Sequence, residues 1–244
     1  MSITTTTPSF TAETTIGEIV AARPALARVF ERLGIDYCCG GKQLLSQACT
    51  RHGLDLSTTL ALLEAAGGAA QAGAPAVDAA GMTLTQLADH IEQTHHSYVK
   101  NELPRLEEMA DRVARKHGGR DPRLAEVHAT VCQLRDEMFS HMHKEEKILF
   151  PLVRALESGS PVDFHCGSIA NPIRQMEAEH ESAGEATARL RKLTDGFTPA
   201  IDACNTHRAL LAGLAEFETD LHVHVHKENS ILFPRALALA EGNN

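Results

Sequence analysis

The chain has 244 residues, 43% of them hydrophobic and 23% charged, which is enough apolar material to bury a core and excludes a disordered chain. A formal net charge of −9, with no Trp, 2 Tyr and 8 Phe, excludes a surface built to neutralise phosphates or stack bases, so no nucleic-acid partner is expected. No run approaches the ~18 apolar residues of a membrane span, and residues 1–15 lack the basic and apolar regions of an export signal, so a cytoplasmic protein with no membrane partner is expected.

In chain order, residues 16–22, 25–33, 42–51 and 57–65 carry apolar side chains at helical spacing, broken by Pro24, Gly34, Gly40-Gly41 and Gly53. They predict a small module of short helices. Within it stands Asp36-Tyr37-Cys38-Cys39-Gly40-Gly41-Lys42, directly before a predicted helix. A helix start and a nearby Lys both favour thiolate, which makes Cys38 and Cys39 the candidate reactive thiols. Six cysteines are too sparse for a disulfide framework, and Cys49, Cys132, Cys166 and Cys204 read as structural thiols.

Residues 65–81 are almost all small, with one Pro and one charge, and read as a flexible linker. The domain reading is a module over 1–66, a linker over 67–81 and a bundle over 82–240. Four long helices are predicted in the bundle. The first begins at Thr83, with Gln86 completing a capping box, and stops at Gly118-Gly119; the second runs from Asp121-Pro122 to Ser158-Gly159. The third opens at Asn171-Pro172 and stops at Asp195-Gly196, and the fourth opens at Thr198-Pro199 and ends near Ala240. Short connections predict an all-α up-down-up-down four-helix bundle, with Pro104, Pro151 and Pro234 kinking or shortening their helices.

The bundle contains a repeat. His141-Met-His-Lys-Glu-Glu-Lys-Ile-Leu-Phe-Pro151 and His224-Val-His-Lys-Glu-Asn-Ser-Ile-Leu-Phe-Pro234 agree at eight of eleven positions, at an offset of 83 residues. Core packing explains repeated apolar residues but gives no reason to repeat His, His, Lys and Glu ahead of them. On a helix, residues four apart differ by about 40° in angle and about 6 Å in rise, so His141 faces the same way as Glu145, and His224 as Glu228. His143 and His226 are turned about 200° away and should point elsewhere. His180 falls on the inner stripe of the third helix with Ile173, Met176, Ala183 and Thr187. In the first helix, the stripe through Leu84, Leu87, Ile91 and Tyr98 puts His95 nearest the core, His96 toward its edge and His90 outward.

Four His and two Glu are too many ligands for one tetrahedral zinc and include no thiolate. They suit two ions of iron or manganese bridged by carboxylates. Glu137, Asp220 and Glu179 are the candidates to support the ligands or line an approach to them, whereas Glu146, Glu177 and Glu181 read as solvated charges.

The paired His-x-x-x-Glu helices resemble the hemerythrin-like bundle, and DYCCGGK resembles the amino-terminal domain of the ScdA/YtfE-type iron-sulfur cluster repair di-iron family. Both halves occur in the family's order over about residues 14–240. The resemblance implies two non-heme iron ions in an oxo- and carboxylate-bridged centre, with His96, His141, Glu145, His180, His224 and Glu228 as ligands and the two Glu as bridges. It favours His96 over His95, because the family's first ligand lies eight residues before the Pro of an LPxL segment, here Leu103-Pro104-Arg105-Leu106. The implied function is repair of iron-sulfur clusters damaged by nitrosative or oxidative stress, by donating iron to damaged cluster proteins. On this reading it is a donor rather than a turnover enzyme. The alternatives are a nitric-oxide sink or a nitric oxide reductase at the same irons, with oxygen storage weaker because it leaves DYCCGGK without a role. Cys38 and Cys39 would dock a client, exchange thiols or join protomers as a homodimer.

Overall fold

The computed structural model describes residues 10–69, 78–160 and 167–242. Helices account for nearly all of their regular structure, and among these residues extended pairing is confined to a bridge between Thr15 and Leu44. The chain divides into two compact units, residues 1–82 with 226–231, and residues 83–225 with 232–244.

In the first unit, α1 (Ile16–Ala22) opens on a capping box in which the Thr15 side chain accepts from the Glu18 backbone N–H and Glu18 accepts from the Thr15 N–H. A 3-10 turn over Pro24–Leu26 leads into α2 (Ala27–Leu33), which stops at Gly34, where a left-handed φ of 69° favours glycine. DYCCGGK does not lead straight into an α-helix. Gly40–Lys42 form one 3-10 turn, and α3 (Leu45–His52) starts beyond it. The last helix, α4 (Leu56–Ala69), follows Asp55, whose carboxylate accepts from Ser57 and Thr58. Its length carries regular structure through residues 65–69, which composition alone assigns to linker; residues 70–77 lie outside the described residues. Ile16, Ile19, Leu26, Phe30, Leu45 and Leu63 form the core.

The bundle helices are assembled from segments. The first comprises α5 (Leu84–Ile91), a π turn over Glu92–His96 and α6 (Ser97–His117). The second is α7 (Arg123–Lys144), a π turn over Glu145–Leu149 and α8 (Phe150–Glu157). The third, α9 (Ala170–Leu193), is uninterrupted, and the fourth is α10 (Asn205–Lys227), a π turn over Glu228–Leu232 and α11 (Phe233–Gly242). Apolar stripes such as Leu103, Leu106 and Val113 on α6, and Val127, Val131 and Leu134 on α7, are buried.

The helix starts follow local chemistry. Thr83 and Gln86 form the expected capping box, and the Glu157 carboxylate accepts from the Leu84 and Thr85 N–H groups at 2.6 and 2.8 Å. The fourth helix begins at Asn205, six residues later than its Thr198-Pro199 signal predicts. Asp195, Gly196 and Phe197 adopt positive φ, the chain turns again over 200–203, and the Arg208 guanidinium donates to the carbonyls of Ala200, Ile201 and Ala203. Those carbonyls therefore point to a side chain instead of a helix. Neither Pro151 nor Pro234 ends its helix. Each is the second residue of the α segment that follows a π turn, where a missing N–H is tolerated. No helix of the described residues is long and apolar enough to cross a membrane.

Candidate metal centre

Each π turn adds one residue to a helical turn, and those over Glu145–Leu149 and Glu228–Leu232 lie within the two copies of the repeated motif. Glu145 and Glu228 are the first residues of their π turns, and His96 is the last residue of another. Side chains from four helices are thereby directed to one region. His96, Glu145, His224 and Glu228 bring ligand atoms within 4.8 Å of one another, as do His141, Glu145, His180 and Glu228. Glu145 and Glu228 belong to both groups. None of the six is more than 2% exposed.

The ring nitrogens converge. His96 Nε2 and His141 Nε2 lie 3.3 and 3.2 Å from the same Glu145 oxygen, and His180 Nε2 is 3.1 Å from His141 Nε2. Two buried carboxylates cost several kcal/mol each to desolvate unless positive charge meets them. Neutral imidazoles supply lone pairs but no such charge, so this donor set fits a pair of cations that take nitrogen and oxygen.

Groups behind the rings fix their orientation. Glu146 Oε1 lies 2.9 Å from His96 Nδ1, and Glu179 Oε2 lies 3.0 Å from His141 Nδ1, so each carboxylate accepts an N–H and leaves Nε2 aimed inward. Burial pushes both carboxyls up, but their hydrogen bonds outweigh it. Lys100 and His96 hold Glu146 below the ordinary range, while His141, Lys144 and Gln175 bring Glu179 down to about 2. The Phe residues of the two Ile-Leu-Phe-Pro segments also face this region. Phe150 stacks on His96 with centroids 5.6 Å apart, and Phe233 stacks on His180 at 6.0 Å. Those apolar residues of the repeat therefore flank the ligands.

The helical phase of the first helix is shifted. Periodicity places His95 nearest the core and His96 at its edge, but the π turn buries both, and His96 joins the ligand group. His95 Nδ1 instead lies 2.9 Å from Asp220 Oδ1, and its ring stacks on His224 at 5.2 Å. Asp220 also lines a cleft of about 540 Å³ with Tyr98, Glu216, Thr219 and Val223. Glu137 meets Gln133 and Ser182 rather than His141. Glu146, which sequence reads as solvated, is the group that orients His96; its partner lies 50 residues away, beyond any local pattern. His143 is exposed and His226 is buried, and neither joins a ligand group.

In the first unit, Asp36 receives the backbone N–H groups of Cys38, Cys39 and Gly40, and the Cys38 thiol donates to the same carboxylate at 3.1 Å. The contact with Cys39, burial and the acidic neighbour hold the Cys38 thiol well above its ordinary pKa. That direction runs against the thiolate that a helix start and a nearby Lys would favour at Cys38. Asp36, not a long helix, dominates its surroundings.

The comparisons agree with this geometry. The Hemerythrin HHE cation binding domain matches residues 87–236, and the ScdA_N domain, whose function is unknown, matches residues 12–67. The iron-sulfur cluster repair protein YtfE of Musicola paradisiaca (strain Ech703) is 38% identical over 226 residues, spanning 92% of this chain and 96% of the relative. The proteins of the same name from Enterobacter sp. (strain 638) and Edwardsiella ictaluri (strain 93-146) are 37% and 39% identical, each over 91% of this chain and 96% of its own. With both domains in the same order and near-complete coverage, the chain belongs to the YtfE family of iron-sulfur cluster repair proteins.

Proposed function

We propose that this protein repairs iron-sulfur clusters damaged by nitrosative or oxidative stress, and that it does so by donating iron from the bundle. The reading rests on one observation above the rest, that two buried ligand groups share Glu145 and Glu228. In this proposal His96 and His224 would hold one iron and His141 and His180 the other, with Glu145 and Glu228, common to both groups, available to both. Bound ferrous iron would supply the metal that a damaged cluster has lost. Glu146 and Glu179 keep His96 and His141 in the tautomer that presents Nε2 inward. Phe150 and Phe233 exclude water from the ring faces and so strengthen the electrostatic hold of the carboxylates. Nitrogen and oxygen donors bind ferrous iron less firmly than thiolates bind a structural zinc, which suits release.

The same donor set accommodates a nitric-oxide sink or reductase, so the test must separate three outcomes. Ferrous protein is incubated with an enzyme whose cluster has been damaged, with and without nitric oxide, while iron transfer, nitrosyl formation and nitrous oxide are followed. Iron appearing in the client with recovery of its activity supports donation. Nitrosyl accumulation without iron transfer supports the sink, and nitrous oxide over many turnovers supports the reductase.

A further inference from the structure

A second set of metal-ligating side chains lies outside this centre, on the α6–α7 pair. His128 and Cys132 are four residues apart on α7 and share a face, and Glu107 of α6 meets them. The Cys132 sulfur is 3.3 Å from His128 Nε2 and 3.5 Å from Glu107 Oε1, and all three ligand atoms lie within 4.8 Å of one another. A tetrahedral ion that holds sulfur at about 2.3 Å and nitrogen or oxygen at about 2.1 Å separates them by about 3.5 Å. Both distances from the sulfur are close to that value. The other Glu107 oxygen is held by Arg135, which fixes the carboxylate with Oε1 toward the sulfur.

We propose that Glu107, His128 and Cys132 form a peripheral zinc site that clasps α6 to α7, with water as the fourth ligand. Its chemistry differs from the central one. A thiolate selects zinc over ferrous iron, whereas the central donors are all nitrogen and oxygen. The two are also separate in space, since His141 lies nine residues beyond Cys132, about 13 Å along the same helix. Without metal, burial and the hydrogen bond to Glu107 keep the Cys132 thiol protonated above its ordinary range. Zinc binding replaces the S–H bond with a Zn–S bond and releases one proton to solvent, and the thiolate and carboxylate together neutralise the ion's two charges.

The test uses the full-length, iron-loaded, reduced protein and zinc ion alone, titrated against a competing chelator. One zinc per chain is expected beyond the iron. Cys132→Ser and His128→Ala should each weaken its binding tenfold or more while leaving helix content and iron content unchanged. Cobalt ion in place of zinc should give a thiolate-to-cobalt charge-transfer band that Cys132→Ser abolishes and Cys38→Ser retains, which separates this site from the Asp36-Cys38-Cys39 group. Zinc affinity and a cobalt band unchanged in Cys132→Ser would overturn the assignment, as would zinc uptake only at the expense of iron.

Discussion

Glu145 and Glu228 are fully buried and belong to both ligand groups, so their substitution is the most direct test of the central site. Glu145→Gln and Glu228→Gln should each lower bound iron from about two per chain to one or less, because each removes a charge that both ligand groups use. His143→Ala, at an exposed position outside both groups, should retain it; metal analysis of the purified variants decides. Glu146→Gln and Glu179→Gln should weaken metal binding by about 10- to 100-fold with the ligands intact, as expected when the group behind a ligating imidazole is lost. Unchanged affinity in a chelator competition would confine these two residues to surface ion pairing with Lys100 and Lys144. Sequence makes the His141/Glu145 and His224/Glu228 pairs readable, because four-residue spacing on a helix is local geometry repeated twice. It cannot reveal Glu146 behind His96 or Asp220 behind His95, since those contacts join residues 50 and 125 positions apart.

Three π turns carry His96, Glu145 and Glu228, and the one over Glu92–His96 accounts for the misplaced phase at His95 and His96. A stripe drawn at 3.6 residues per turn is valid up to Ile91 and fails across Glu92–His96, where the helix takes an extra residue. Deleting Ile148, an exposed residue of the Glu145–Leu149 turn, should let that turn close to an ordinary α-helical one. Circular dichroism should then show helix content within error of the parent, while bound iron falls by half or more; full iron retention would mean that the π turn does not direct Glu145. Helix starts were legible where a side chain caps them, as at Thr83, and illegible at the fourth helix, where Arg208 captures the carbonyls of the preceding turn. The Glu157 cap carries a pH signature. Although burial opposes it, the hydrogen bonds from Thr85 and Leu84 hold its carboxyl below the ordinary Glu value. Its contribution, about 1 kcal/mol after solvent screening, is present above the ordinary Glu range and is lost as pH falls through the lowered value. Glu157→Gln should therefore lower Tm by about 2 to 4 °C at pH 7 and by much less near pH 3, as thermal melts at the two pH values would read.

At the scale of the whole molecule, the adjacent thiols Cys38 and Cys39 lie in the amino-terminal module, and the two groups that share Glu145 and Glu228, all nitrogen and oxygen, lie in the bundle. Cys38→Ser combined with Cys39→Ser should leave iron content and the iron spectrum intact, because the two groups that share Glu145 and Glu228 contain no sulfur, and should impair repair of a damaged client. Undiminished repair by the folded double variant would remove the thiols from the mechanism. The order of the two parts was legible because each carries a dense local motif; the raised pKa of the Cys38 thiol was not, because Asp36 acts through a loop conformation that no spacing rule describes. The sharing of Glu145 and Glu228 has a consequence for loading. If two ions bind as proposed, the first divalent ion to arrive would meet two full negative charges, whereas the second would meet the same carboxylates already engaged and a like charge beside it. The two affinities would then differ even though each group has two imidazoles. On the donation proposal, such a chain would retain one ion tenaciously and hold its companion on loan, so that its capacity for delivery would be set by the weaker of two unequal steps.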